Sequence, residues 1–274
     1  MIFGLIFGLV CAVSSNNWLL IWLGLEINLM SFLPLISQNL GSKKKVSLYF
    51  VVQSFGSLLI LAVGMMQLNL TTMILIMALS LKMGLIPVHF WVPPLITTMK
   101  SYAMTLLLTA QKVSPLVLLK VALNSSALML LLVMNAMMGG MMVMSSMMMP
   151  LLFLFSGTIH LSWLISALNT IMFWEYMLIY MILLSAIIMF WDFNQKNSMQ
   201  LTLLNFGGIP PFLGFSLKLK TLANLNQIHI PALLTGSCMS LYAYVRLLVT
   251  GMMSHKKKVA EKLSPVAILL LIPQ

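Results

Sequence analysis

Long apolar runs, most close to twenty residues, alternate along this chain with short clusters of Lys, Asn, Ser, Gly and Pro. The period-two alternation that a membrane barrel strand needs is absent, and apolar runs such as Leu151–Ile159 argue against it. Helices are then the remaining way to satisfy every backbone group in lipid. The pattern predicts eleven spans: Ile2–Val13, Trp18–Ser37, Val46–Gln67, Thr71–Phe90, Ser101–Val121, Ser126–Val143, Leu151–Leu168, Ile171–Trp191, Leu201–Leu222, Ile230–Thr250 and Leu263–Ile272. A spanning helix needs about 20 residues, so the first and last are short. Asn124 to Asn169 holds no charge. As one helix it would be about twice as long as the bilayer core is thick, so it must fold back, with Ser145, Ser146 and Pro150 as turn residues. The expected fold is an all-α polytopic membrane protein, with residues 1–274 forming a single helical domain.

Composition agrees. Of 274 residues 61% are hydrophobic and 7% charged, against about 25% charged in ordinary soluble domains. The net charge of +11 would suggest nucleic acid in a soluble protein. Here the lysines fall between apolar runs, where they orient helices instead. Lys43–Lys45 and Lys256–Lys258 flank eight predicted spans, an even number, so both clusters fall on the inner side together with Lys100 and Lys196. The N-terminus is then inside and the C-terminus outside. The opening "MIFGLIFGLVCAVSS" lacks the basic start of a signal peptide and reads as a short first span. Methionine supplies 27 residues, a bias that hints at organellar synthesis. Cys11 and Cys238 form no metal or disulfide pattern, and no phosphate loop, nucleophile elbow or paired haem histidines occur.

Five ionisable groups lie deep in the spans: Glu26, Lys82, Lys112, His160 and Lys218. A charge at mid-membrane costs about 2.5–3.5 kcal/mol on insertion scales. Pro87 removes the donor to Met83, Pro115 the donor to Gln111, and Pro210–Pro211 the donors to Phe206 and Gly207. Helix breaks are therefore expected at Met83–Pro87 and Gly207–Pro211, and a loosened carbonyl beside Lys112. Irregular backbone at membrane depth survives only inside protein or beside a water-filled cavity. Three breaks near three lysines point to an interior polar path. The alternative is snorkelling, which suits Lys120 and Lys220 near span ends better than the central lysines. His160 is equally well read as a hydrogen-bonded core residue. Spans four and nine, both broken beside a lysine, run in opposite directions, as in transporters built from inverted repeats.

"WLGLEINLMSFLPL", "LKMGLIPVHFWVP", "QKVSPL" and "FGGIPPFLGF" resemble subunit 2 of the NADH dehydrogenases, antiporter-like membrane subunits of respiratory complex I. The resemblance runs from about Trp18 to Arg246. It implies eleven helices with an antiporter-like fold, and a proton relay through Glu26, Lys82, Lys112, His160 and Lys218. Redox cofactors (NADH, FMN, iron–sulfur clusters and ubiquinone) would belong to the complex, with none in this chain. Partners would be the other membrane-arm and accessory subunits and lipids, cardiolipin among them, with no nucleic acid. The location implied is the mitochondrial inner membrane, with the N-terminus in the matrix and the C-terminus on the intermembrane side. Ala110, Met147–Met149 and Leu219 depart from the family pattern. Glu26 is expected to pair with Lys82, since opposite charges ~4 Å apart attract by about 4 kcal/mol at an effective dielectric of ~20. Two other readings stand beside this one: a stand-alone cation/proton antiporter, and a structural subunit with static buried charges.

Overall fold

The computed structural model describes residues 1–39, 43–66, 71–122, 125–224 and 229–253. Among these there is no strand. The last expected span, Leu263–Ile272, and the Lys256–Lys258 cluster lie outside the described residues. Among the described residues seven helices are long and apolar enough to cross a membrane, and shorter apolar helices accompany them.

The chain divides into two compact units, Met1–Leu131 and Leu132–Gln274. The first begins with α1 (Ile2–Ser14), α2 (Trp18–Asn39), α3 (Lys43–Met65) and α4 (Thr71–Met83). Each packs on the next. Small residues bring α1 and α2 together: a Cβ on Gly8 would stand 2.7 Å from the Asn28 nitrogen, and one on Gly24 2.7 Å from the Ala12 nitrogen. Apolar burial separates helices from lipid poorly, so close backbone approach of this kind does the holding. Pro34 lies within α2.

Span four, expected from Thr71 to Phe90, stops as a helix at Met83. Gly84 follows with φ +65°, a conformation that suits only glycine well. The chain then loops to a one-turn helix α5 (Val92–Ile96). The break thus falls where Pro87 predicts, and two side chains bond carbonyls at the helix end. Gln53 Nε2 donates to Lys82 O at 3.1 Å, and Trp91 Nε1 donates to Leu81 O at 3.1 Å. His89 is buried in this loop.

Span five is α6 (Ser101–Leu108), α7 (Ala110–Leu118) and a short 3₁₀ turn η1 (Leu119–Ala122). The interruption is at Thr109 (φ −115°, ψ −80°), and α7 runs through Pro115 without a break. Proline crowds the turn before it. The helix gives way about a turn and a half upstream, where the Thr109 hydroxyl donates to Thr105 O at 2.6 Å.

The second unit takes in the rest of α8 (Ser126–Ser145), then α9 (Met149–Ser166), α10 (Met172–Asp192), α11 (Lys196–Gly207), α12 (Leu213–Ala223) and α13 (Ile230–Met253). The return between α8 and α9 falls at Ser146–Met148, as the uncharged stretch requires. Every residue of α9 from Leu152 to Ile165 is buried, so this helix is the centre of the unit. Arg246 reaches the end of α8. Its Nη1 and Nη2 donate to Met144 O and Ser146 O, both at 2.8 Å, and satisfy carbonyls the helix end leaves without partners. Span nine is split as predicted, with α11 closed by left-handed Gly208 at φ +79°.

Candidate functional site

Lys82, Lys112, Lys218 and His160 are each 7% exposed or less. Snorkelling is therefore excluded for the three lysines, since none extends its head to the surface. Lys220 does behave as an exposed residue. It meets Glu175 at 3.6 Å with both side chains half exposed, a pair worth about 0–1 kcal/mol.

The first unit gathers Glu26, Lys82 and Lys112 around α3 and α7. The expected Glu26–Lys82 ion pair is not formed. Helix α3 carries the two groups at adjacent residues. The Ser57 hydroxyl is hydrogen-bonded to Glu26 Oε1, while the Lys82 stem lies over Gly56, whose Cβ would stand 3.1 Å from Lys82 Cγ. Glu26 thus has a hydroxyl partner on α3 in place of the ammonium.

Asn28 and Gln111 form a reciprocal amide pair. Asn28 Nδ2 donates to Gln111 Oε1 at 3.1 Å, and Gln111 Nε2 donates to Asn28 Oδ1 at 3.0 Å. Two bonds in opposite senses fix both side chains and tie α2 to α7. They help line a cavity of about 10 Å³ with Tyr49, Gln53, Lys82 and Ser114. That volume is close to the least that holds one water, and the wall has the polar partners such a water needs. Lys112 follows Gln111 in sequence. Its Nζ is buried with no hydrogen-bond partner in the protein, and so is Ser114 Oγ.

Sequence reasoning missed Gln53, Ser57 and Asn28. A signal was there. On α3 the buried residues are Tyr49, Gln53, Gly56, Ser57, Ile60 and Val63, a helical stripe with its polar members one turn apart. Polar side chains on the buried face of a membrane helix point to function as surely as charges do.

The second unit holds His160 and Lys218. His160 Nδ1 lies 3.0 Å from Tyr176 Oη, and its ring centroid is 4.0 Å from that of Phe206. Tyr180 closes the box at 5.7 Å. A second cavity of about 10 Å³ adjoins this ring, lined in part by Gly214 and Leu217 of α12. Lys218 turns back along α12, and its Nζ donates to Gly207 O at 2.7 Å, a carbonyl released by the break. The break that Pro210 and Pro211 predict therefore feeds its own lysine.

Asn205 sets that geometry. Its Oδ1 accepts the Gly214 N–H at 3.0 Å and caps α12. A Cβ on Gly214 would stand 2.0 Å from Asn205 O, and one on Gly207 would meet only side chains, the Tyr244 ring at 3.2 Å and Leu241 Cγ at 3.9 Å. Gly214→Ala is therefore expected to push α12 off α11 and pull Lys218 from Gly207 O. Overpacking of this kind costs about 1–3 kcal/mol or more. Thermal unfolding of the purified protein in its native assembly should show the loss. Gly207→Ala should cost clearly less; equal losses would refute the argument.

No group of three or more His, Cys, Asp or Glu that could hold a metal ion is found among the described residues. Cys11 and Cys238 are both free thiols.

No family model matches the sequence. Individual proteins do. NADH-ubiquinone oxidoreductase chain 2 of Anopheles gambiae is 32% identical over 291 residues, covering 93% of this chain and 85% of that protein. The chain belongs to the NADH-ubiquinone oxidoreductase chain 2 family. The chain 2 protein of Lumbricus terrestris is 30% identical over 286 residues, covering 90% of this chain and 84% of its own length. Among solved structures, respiratory complex I from Thermus thermophilus with bound aureothin contains a chain that superposes with a TM-score of 0.80 at 18% identity. The match covers 96% of this chain and 74% of that one. The two share a fold. Membership of the chain 2 family accords with the helical membrane architecture and with broken helices beside buried lysines.

Proposed function

We propose that this chain is an antiporter-like core membrane subunit of mitochondrial NADH:ubiquinone oxidoreductase. It carries protons across the inner membrane while other subunits pass electrons from NADH to ubiquinone. Family membership supports the assignment to the complex. The observation that supports proton carriage is the burial of ionisable side chains at helix breaks, where freed carbonyls and polar side chains surround them.

In the first unit Glu26 biases the charge on Lys82, and Lys112 accepts a proton at mid-membrane. In the second, His160 and Lys218 pass it outward. Glu26 influences Lys82 across α3 through its field rather than by contact. Moving one charge through the membrane works against about 2.3 kcal/mol per 100 mV. This energy comes from the redox reaction carried out by partner subunits. Within that assembly the chain meets other membrane-arm subunits and lipids, cardiolipin among them. Lys43–Lys45 and the N-terminus face the matrix, and the C-terminus faces the intermembrane side.

The test is Lys82→Met in the intact complex, reconstituted in vesicles. Fewer protons should be moved per NADH oxidised, with NADH oxidation by an artificial acceptor unchanged. A purely structural subunit would leave the proton ratio intact once assembled. That outcome would overturn the relay.

A further inference from the structure

Ser57 has one hydroxyl hydrogen and two acceptors for it. Its Oγ lies 2.8 Å from Ser54 O and is also hydrogen-bonded to Glu26 Oε1. A serine hydroxyl donates once and accepts through its lone pairs. Two oxygens that only accept cannot both be served at once. Either Glu26 is a carboxylate and Ser57 donates to it, or Glu26 is protonated, donates to Ser57 Oγ, and Ser57 donates to Ser54 O.

We infer that Ser57 is a positioning residue that holds Glu26 in one place in both protonation states by reversing its hydroxyl. The inference deepens the relay reading and rests on Glu26 exchanging a proton. That proton comes from the relay and returns to it. Ser57 turns its own hydrogen about the Cβ–Oγ bond and neither gains nor loses one. The site is suited to this. Ser57 is fully buried, so bulk water does not compete for its hydroxyl. Ser54 O is a helix carbonyl of α3, fixed in position, with a second lone pair available for a side-chain donor.

The geometry also separates Ser57 from Lys82. The lysine stem lies over neighbouring Gly56, so the hydroxyl partner of Glu26 and the stem of Lys82 meet α3 at adjacent residues. The remaining ionisable groups on elements packed against α2 are Cys11 on α1, Lys43–Lys45 and Tyr49 on α3, Tyr102 on α6, and Lys112 on α7, which the Asn28–Gln111 pair ties to α2. Without the hydroxyl, nothing on α3 at this level holds the carboxyl, and it is free to swing toward Lys82. A carboxyl that moves as it titrates arrives at its neighbour in a poor geometry for proton transfer.

The experiment compares Ser57→Ala, Glu26→Gln and the double variant in the intact complex in vesicles. Proton pumping is read alongside redox-difference infrared spectra, in which the Glu26 band is the carboxylic C=O stretch absent from Glu26→Gln. Ser57→Ala should assemble normally, shift that band, and slow pumping about tenfold, the size of a lost hydrogen bond to a charged group. In the Glu26→Gln background Ser57→Ala should add nothing, because Ser57 acts through Glu26. Equal slowing in both backgrounds would overturn the inference, as would an unshifted band. Absence of any Glu26 band in the parent complex would also overturn it, since the hydroxyl would then have a single state. If Glu26→Gln pumps normally, the relay reading fails at Glu26, and the band shift alone decides whether Ser57 holds the carboxyl.

Discussion

Lys112→Met should leave the amount of assembled protein unchanged and slow proton transfer through this subunit by about 10²–10⁴-fold, the range for a lost acid–base group. Met keeps the length and apolar stem of the lysine and removes the group that titrates. The structure sharpens the contrast with a structural role. Had Lys112 been half of a static buried pair, its loss would strand a carboxylate and destabilise by about 3–5 kcal/mol. The Lys112 ammonium has no hydrogen-bond partner in the protein. Removal therefore leaves no orphan, and the apolar replacement relieves the cost of a buried amine. The measurement is proton translocation per electron pair in vesicles, with subunit abundance measured in parallel. Unchanged pumping at normal abundance would dismiss Lys112 as a relay. Loss of the subunit would show a partner that the geometry does not contain.

Gly24→Leu should have the opposite signature, removing the protein before any question of pumping arises. A Cβ at residue 24 meets backbone, 2.7 Å from the Ala12 nitrogen and 2.9 Å from Gly8 O. Backbone cannot rotate away as a side chain can. Gly24→Ala already forces the helices apart, at about 1–3 kcal/mol. Leu adds three more carbons in the same place and should detach α1 from α2. Helix α2 also carries Glu26 and Asn28, so the amide pair to Gln111 would lose its register. Abundance and thermal stability of the purified complex should fall in the order Gly24, Ala, Leu. Leu23→Ala, one residue away on an exposed position, should change neither. A stable Gly24→Leu protein with α1 in place would refute close packing as the basis of this contact.

Much of this architecture is legible in the sequence because lipid leaves few choices. The apolar runs fix the spans within a few residues, and prolines and glycines locate the breaks after Met83 and Gly207. Proline chemistry was less informative in span five. Pro115 stays inside α7 and the chain yields at Thr109, since a missing donor can be absorbed upstream where a threonine hydroxyl bonds the backbone. Partners were the least legible. Glu26 and Lys82 are the obvious opposite charges, yet they sit on α2 and α4 with α3 bearing Ser57 and Gly56 beside them. Charge alone does not say which helix comes between two residues. The buried stripe on α3 does, once its polar members are taken as seriously as its apolar ones.

The two small cavities bear on what a membrane of this kind must avoid. A standing column of water would let protons run back down their gradient and discharge the very potential the complex builds. Each cavity is about 10 Å³, room for a single water, and neither is a channel. At the first break the loose carbonyls of Leu81 and Lys82 are stoppered by Trp91 and Gln53. Around His160 the stopper is a set of aromatic rings. On the proposed relay, the resting path within each unit is a series of isolated stepping stones with insulation between them. Leakage is blocked by default, and conduction requires side chains to move.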